Sequence, residues 1–265
     1  MDLELKGKKA LVAGASRGLG FAVALALAQE GCSVAINGRD YNRLEEAAER
    51  IREAVDNRVA VIPVAGDLAA PDMPALVVRK AAEALKGLDL LVTNTGGPPA
   101  GNFKVLTDAQ WEDAVSTLLM AHVRLIRAAL PFLEQSATPS ILAITSYSVK
   151  QPIPGLVLSN SVRAATANLV KTLALELGAS GIRVNAILPG WTKTERVTAL
   201  MESRAKANHT TINDEIKKQT REIALGRMAE PEEFAKPAVF LLSPAASYVT
   251  GALFTVDGGA YKGVC

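Results

Sequence analysis

Two cysteines, Cys32 and Cys265, are all the thiol chemistry in 265 residues. They leave no room for a disulfide framework or a cysteine-based zinc site. Histidine is as scarce, with two residues far apart in the chain, so no metal is expected. An excess of one charge is also missing. The 29 basic side chains face 27 acidic ones, a net +2, which gives no reason to expect nucleic acid or an anionic membrane as partner. Glycine (20) and proline (13) are too few for a collagen-like chain, and a hydrophobic share of 49% excludes disorder. The first nine residues are charged and lack the apolar core of a signal peptide. Apolar runs are broken by Gly, Gln, Glu or Arg before reaching about 18 residues, so no membrane span is expected. These absences leave a soluble, cytoplasmic protein, with residues 1–265 forming a single domain.

What is present is a rhythm. Short apolar runs at 10–13, 33–36, 59–64, 88–92, 141–145, 183–188 and 253–256 lack in/out alternation, as strands covered on both faces do. Amphipathic stretches at 18–29, 41–55, 74–85, 108–133, 156–177 and 232–242 predict helices between them. Asp40 is placed to cap the second helix, and Thr107 with Gln110 to form a capping box on the fourth. Pro231 suits the first turn of the last. The pattern predicts an α/β fold, a doubly wound, seven-stranded parallel sheet with helices on both faces. A polar, charged segment at about 190–227 breaks the rhythm and is expected to be a lid or substrate segment.

After the first strand, Gly14-Ala15-Ser16-Arg17-Gly18-Leu19-Gly20 opens directly into a helix. Glycines there let the backbone turn tightly and approach a pyrophosphate, and the helix N-terminus offers free N–H groups with partial positive charge. The alternative is a tight connection without a ligand. Together with four motifs further along the chain, the loop resembles that of the short-chain dehydrogenase/reductase family, with Ala13 where that family usually has Thr. Gly66-Asp67-Leu68 resembles its adenine-contacting segment, and Thr93-Asn94-Thr95-Gly96-Gly97 its Asn-Asn-Ala-Gly turn with two substitutions. Arg183 to Ile187, then Pro189-Gly190 and Thr192 to Thr194, resembles the segment under the nicotinamide, and Val256-Asp257-Gly258-Gly259 the C-terminal turn. The closest texture is that of the beta-ketoacyl-acyl-carrier-protein reductases. The resemblance spans essentially the whole chain and implies a Rossmann-type fold.

It also implies a dinucleotide bound by Gly14, Ser16, Arg17, Gly18, Leu19, Gly20, Asp67, Leu68, Asn94, Pro189, Gly190 and Thr192. The second strand ends Asn37-Gly38-Arg39, and Arg39 with Arg17 is suited to clamp a 2′-phosphate, which favours NADP while NAD stays open. Asp40, an acid near that strand end, is accounted for by its capping role. Arg39 as a solvated surface charge is the other reading.

The family's chemistry rests on Ser, Tyr, Lys and Asn, for which the resemblance supplies one match. Ser146 fits the serine that holds the carbonyl oxygen, but thirteen positions on stands Ser159 in place of Tyr, and Arg163 in place of Lys. Leu118, seven after Trp111, occupies the Asn position, and the variant enoyl-reductase spacing finds only Leu156, seven before Arg163. An aliphatic hydroxyl is a far poorer acid than a phenol, while Arg163 keeps its charge and can hold a ribose or polarise an oxygen. As a structural residue, Arg163 would form an interhelical salt bridge. Tyr147 and Lys150 stand beside Ser146 at the wrong spacing, and His122 lies one helical turn beyond Leu118, where packing is its ordinary use.

Two functions compete. One is an NAD(P)-dependent oxidoreductase, acting on a carbonyl or secondary alcohol of a small molecule with altered proton delivery through Ser146, Ser159 and Arg163. The other is a catalytically weak or inactive binder, a cofactor sensor or the partner of an active paralogue. A homodimer or homotetramer is expected, because the helices at 108–133 and 156–177 are apolar on more than one face.

Overall fold

The computed structural model describes residues 2–264, so Cys265 lies outside the described residues. Seven strands, β1 (Lys9–Val12), β2 (Ser33–Gly38), β3 (Val61–Ala65), β4 (Leu90–Thr93), β5 (Ser140–Ile144), β6 (Arg183–Pro189) and β7 (Leu253–Val256), form one sheet. All pair in parallel, in the order β3-β2-β1-β4-β5-β6-β7. The near-continuous apolar runs of the central strands are therefore buried on both faces, while the edge strands β3 and β7 are only partly covered. Strand ends differ from the expected runs by a residue or two. Asp89 explains one case: its carboxylate accepts the Lys9 N–H and the Ser136 hydroxyl, so β4 starts only after it.

Helices α1 (Gly18–Gln29) and α2 (Tyr41–Ala54) pack on one face together with α9 (Pro231–Leu242), around Leu27, Leu44, Ile51 and Phe234. The other face carries α3 (Met73–Leu85), α4 (Asp108–Val115), α5 (Ala121–Leu133) and α6 (Val157–Leu177). The predicted starts hold. Asp40 accepts the Arg43 N–H, Thr107 and Gln110 close a capping box, and Pro231 sits in the first turn of α9.

The stretch 108–133 is not one regular helix. Between α4 and α5 lies a π-turn at Ser116–Met120. Partners from other elements hold it open, since Ser116 Oγ donates to Ala69 O and Thr166 Oγ1 of α6 donates to Leu118 O at 2.6 Å. Over its 26 residues, Asp108–Leu133 is long and apolar enough to cross a membrane by length and composition. In this fold α5 instead buries Leu125, Ala129 and Leu133 against the sheet and α3. The segment 190–227 is helical too. It holds α7 (Glu195–Asn208) and α8 (Ile212–Thr220), capped by Thr194 and Thr211.

Candidate active site

Strand order reverses between β1 and β4, which opens a crevice at their carboxyl ends, where ligands of doubly wound sheets sit. The loop after β1 lines it. Gly14 and Gly18 have φ of +58° and +59°, which side chains of L-residues rarely adopt. A Cβ on Gly20 would overlap Gly14 O, so the first turn of α1 closes directly on the loop. Asn94 Nδ2 donates to Gly14 O at 3.1 Å and ties the end of β4 to the same loop. The result is a cradle with free α1 N–H groups at its rim, flanked by Ser16 and Leu19, which fits a pyrophosphate. Two deeply buried hydroxyls nearby in the fold, Thr95 Oγ1 after β4 and Thr192 Oγ1 after β6, have no hydrogen-bond partner among the described residues. Buried polar atoms are normally paired, so these fit a polar ligand as well.

The remaining expected cofactor positions divide. Pro189 ends β6, and Gly190 packs so closely on Asp257 that a Cβ would lie 2.6 Å from its Cα. Asp67 is exposed and accepts the Ala69 N–H, while Leu68 is buried in the core. Arg39 is exposed at the end of β2 and free of ion pairs. Arg17 is not joined to it in this structure, because its guanidinium pairs with Glu195 in the first turn of α7. Two other members of the matched motifs serve the scaffold. Arg183 donates to the carbonyls of Leu241, Leu242 and Ser243 at the end of α9, and Asn185 ties β6 to Val249 and Ala252.

At the end of β5 the sheet brings Ser146 and Arg163 together. Arg163 is 8% exposed, and its Nη1 donates to Ile144 O and Thr145 O, both at 3.3 Å, the two residues that precede Ser146. Ser146 Oγ accepts the Ser148 N–H at 3.1 Å, which leaves its own proton free to donate. Ser159, one turn before Arg163 on α6, is half-buried, and its hydroxyl has no hydrogen bond to the described residues. Burial, and secondarily the charge of Arg196, draws the Arg163 pKa down to about 10, so it stays charged at neutral pH. Among the described residues it forms no salt bridge.

The flanking groups do not replace the missing phenol. Tyr147 is buried, burial raises its pKa, and its hydroxyl accepts the Trp191 indole N–H at 3.0 Å. Lys150 lies over the Tyr261 ring. Leu118 is fully buried with Ala114, Leu158 and Val162, and Thr166 has taken its carbonyl, so no polar side chain stands at that position. His122 packs inside the protein with Nδ1 2.7 Å from Thr93 Oγ1. Burial, then the charge of Arg163, lowers its pKa to about 3.

Sequence reasoning missed Arg196. It lies in the first turn of α7, donates from Nη2 to Pro98 O at 2.5 Å, and packs on Gly97, where a Cβ would meet Nε at 2.8 Å. Its signal was slight, a cation just after the Thr194 cap in a segment read only as a charged lid.

A parallel doubly wound sheet with this cradle at its switch point defines a dinucleotide-binding α/β protein. Residues 14–261 match the family described as enoyl-(acyl carrier protein) reductase, and the chain belongs to the short-chain dehydrogenase/reductase family. It is 33% identical to the uncharacterized oxidoreductase YvrD of Bacillus subtilis (strain 168), over 99% of both chains. It also superposes with a TM-score of 0.94 and 33% identity on L-sorbose reductase from Gluconobacter frateurii complexed with NADPH and L-sorbose, over 100% of both chains. A short-chain oxidoreductase from Pseudomonas aeruginosa PAO1, bound to NADPH and containing an atypical catalytic center, matches with a TM-score of 0.88 at 28% identity. That match covers 97% of this chain and 98% of the other.

Proposed function

We propose that this chain is an NADP-dependent carbonyl reductase in which a serine and an arginine polarise the carbonyl oxygen and solvent supplies the proton that a phenol would give. The observation that carries the reading is the placement of Ser146 beside the buried, charged Arg163 at the carboxyl end of β5. The cradle at residues 14–20, with Asn94, Thr192 and the free Arg39, would hold the dinucleotide. When bound, NADPH supplies a hydride for the carbonyl carbon. Ser146 donates its hydroxyl proton in a hydrogen bond to the carbonyl oxygen, and Arg163 neutralises the charge that develops there. Since Arg163 does not release a proton at neutral pH, the alkoxide takes its proton from solvent in the cleft. Losing a positioned general acid removes a factor of about 10²–10⁴ in rate, so turnover is expected to be slow. The NADPH-bound relatives support the cofactor, and the one with an atypical center supports activity without the usual residues.

A second reading, a dinucleotide-binding protein without turnover, is favoured by the apolar seal at Leu118. One experiment separates the two. Ser159→Tyr with Arg163→Lys places a phenol and an ammonium one turn apart on α6. An active wild type loses rate, because the ring fills the space its substrate uses; an inactive binder gains NADPH oxidation with a reactive diketone. Fluorescence titration comes first, and NADPH should saturate more tightly than NADH. No saturation by either cofactor overturns both readings.

A further inference from the structure

Arg163 and Arg196 are cations without an anion. Buried or half-buried guanidinium groups are ordinarily paired with carboxylates, because stripping water from an unpaired charge is costly. Arg163, at 8% exposure, meets only the neutral carbonyls of Ile144 and Thr145 through Nη1, and it has five N–H donors. Arg196 meets only Pro98 O. None of the six ion pairs among the described residues includes either one. Glu195, the acid nearest in sequence to Arg196, is held by Arg17.

Both arginines stand at the carboxyl end of the sheet. Arg196 reaches across from α7 to the loop after β4, and Arg163 stands at the end of β5, the next strand in the sheet. They are close enough that the charge of Arg196 lowers the pKa of Arg163. Arg204, two turns further along α7, shows what a satisfied lid arginine looks like: it stacks 5.0 Å over Trp191 and donates to Gln219 Oε1 at 2.9 Å. The fit of Arg196 to Gly97 matters here, because any side chain at that position would displace the guanidinium from the cleft wall.

We propose that the substrate is a short oxo acid, its carboxylate bound by Arg196 of the lid and its carbonyl oxygen by Ser146 and Arg163. The assignment rests on the reductase reading, and it divides labour between the arginines. Arg163 serves the reacting oxygen, and Arg196 selects for an anionic substituent on the same molecule. A guanidinium fork suits a carboxylate, since both oxygens can accept from it in parallel. The pyrophosphate of the cofactor is the competing anion, because α7 starts against its cradle, through Thr194 beside Gly18 and Glu195 paired with Arg17, and the titrations below separate the two anions.

Binding can be read without turnover. Oxamate and malonate are titrated by calorimetry into the protein saturated with NADP⁺, beside their uncharged amides or esters. The acids should bind at least about tenfold more tightly than the neutral forms, a difference of about 1.4 kcal/mol. Arg196→Gln should abolish that preference while NADPH affinity stays within about threefold, and Arg196→Lys should restore part of it. Thermal melting of both variants confirms that the lid still folds. A fall in NADPH affinity equal to the fall for the acids would assign Arg196 to the cofactor phosphates and overturn the proposal. Equal binding of acid and neutral forms by the wild type, or no binding of either to an NADP⁺-saturated protein, would overturn it as well. Failure of the wild type to bind NADPH at all would instead sink the reductase reading beneath it.

Discussion

His122 shows how one buried side chain writes itself into the behaviour of the molecule. Its ring lies under α5 against Thr93, and burial followed by the nearby Arg163 charge lowers its pKa from 6.5 to about 3. Native His122 therefore refuses a proton that the unfolded chain accepts below pH 6.5. Stability is highest above that pH and declines as the pH falls towards about 3. Between pH 7.5 and 5.5 the loss from this residue should be about 1.4 kcal/mol, set by the unfolded pKa alone because the native value lies lower still. Urea unfolding at the two pH values measures it. His122→Leu should be less stable at both, since Thr93 loses its partner, yet its stability should barely change across that interval. A variant with the wild-type slope would show that the proton linkage arises elsewhere.

At the scale of elements, the nucleotide loop can be tested by its closest approach. Gly20→Ala drives a methyl into Gly14 O, a backbone atom that cannot swing aside. We expect a stability loss of about 1–3 kcal/mol and at least about tenfold weaker NADPH binding, read by melting and by fluorescence titration. Gly178→Ala is the control, because φ is −59° there and nothing lies within 4 Å of the added methyl. The contrast also shows what the sequence made legible. Strands buried on both faces, capping residues and the glycine loop are local signals, and they were enough to place every layer of the fold. Ser146 and Arg163 could be nominated by register, but that Arg163 reaches the backbone just before Ser146 depends on how α6 packs at the end of β5, which the local pattern does not state. The π-turn was hidden because its causes, Ala69 O and Thr166, come from other elements. Arg196 was hidden for the same reason, since its partners Gly97 and Pro98 are about a hundred residues away. Local pattern reports propensity; it carries no record of which distant backbone will come within reach.

For the whole molecule, the outer face of α6 carries the last prediction. Ser161, Ala165, Asn168, Thr172 and Leu175 are exposed along one stripe at alternating spacings of four and three. The two long polar members do not project. Asn168 Nδ2 donates to Ala164 O and Thr172 Oγ1 to Asn168 O, so both fold back on their own helix. Leu175, 77% exposed, stands at one end of this low surface, and Val115 on the neighbouring α4 is 39% exposed. A flat stripe of small residues allows a second α6 to approach closely about a two-fold axis, and such an interface is self-complementary. The face beyond β7 offers Phe254 and the fully exposed Tyr248, which could extend a dimer to a tetramer. We therefore expect light scattering to give twice or four times the 27.9 kDa chain mass. Ala165→Arg should halve the observed mass by placing a charge where two helices meet, without touching the core. A wild type that stays monomeric at micromolar concentration refutes the assembly. An unchanged mass in the variant refutes α6 as its axis, and leaves the β7 face to account for it.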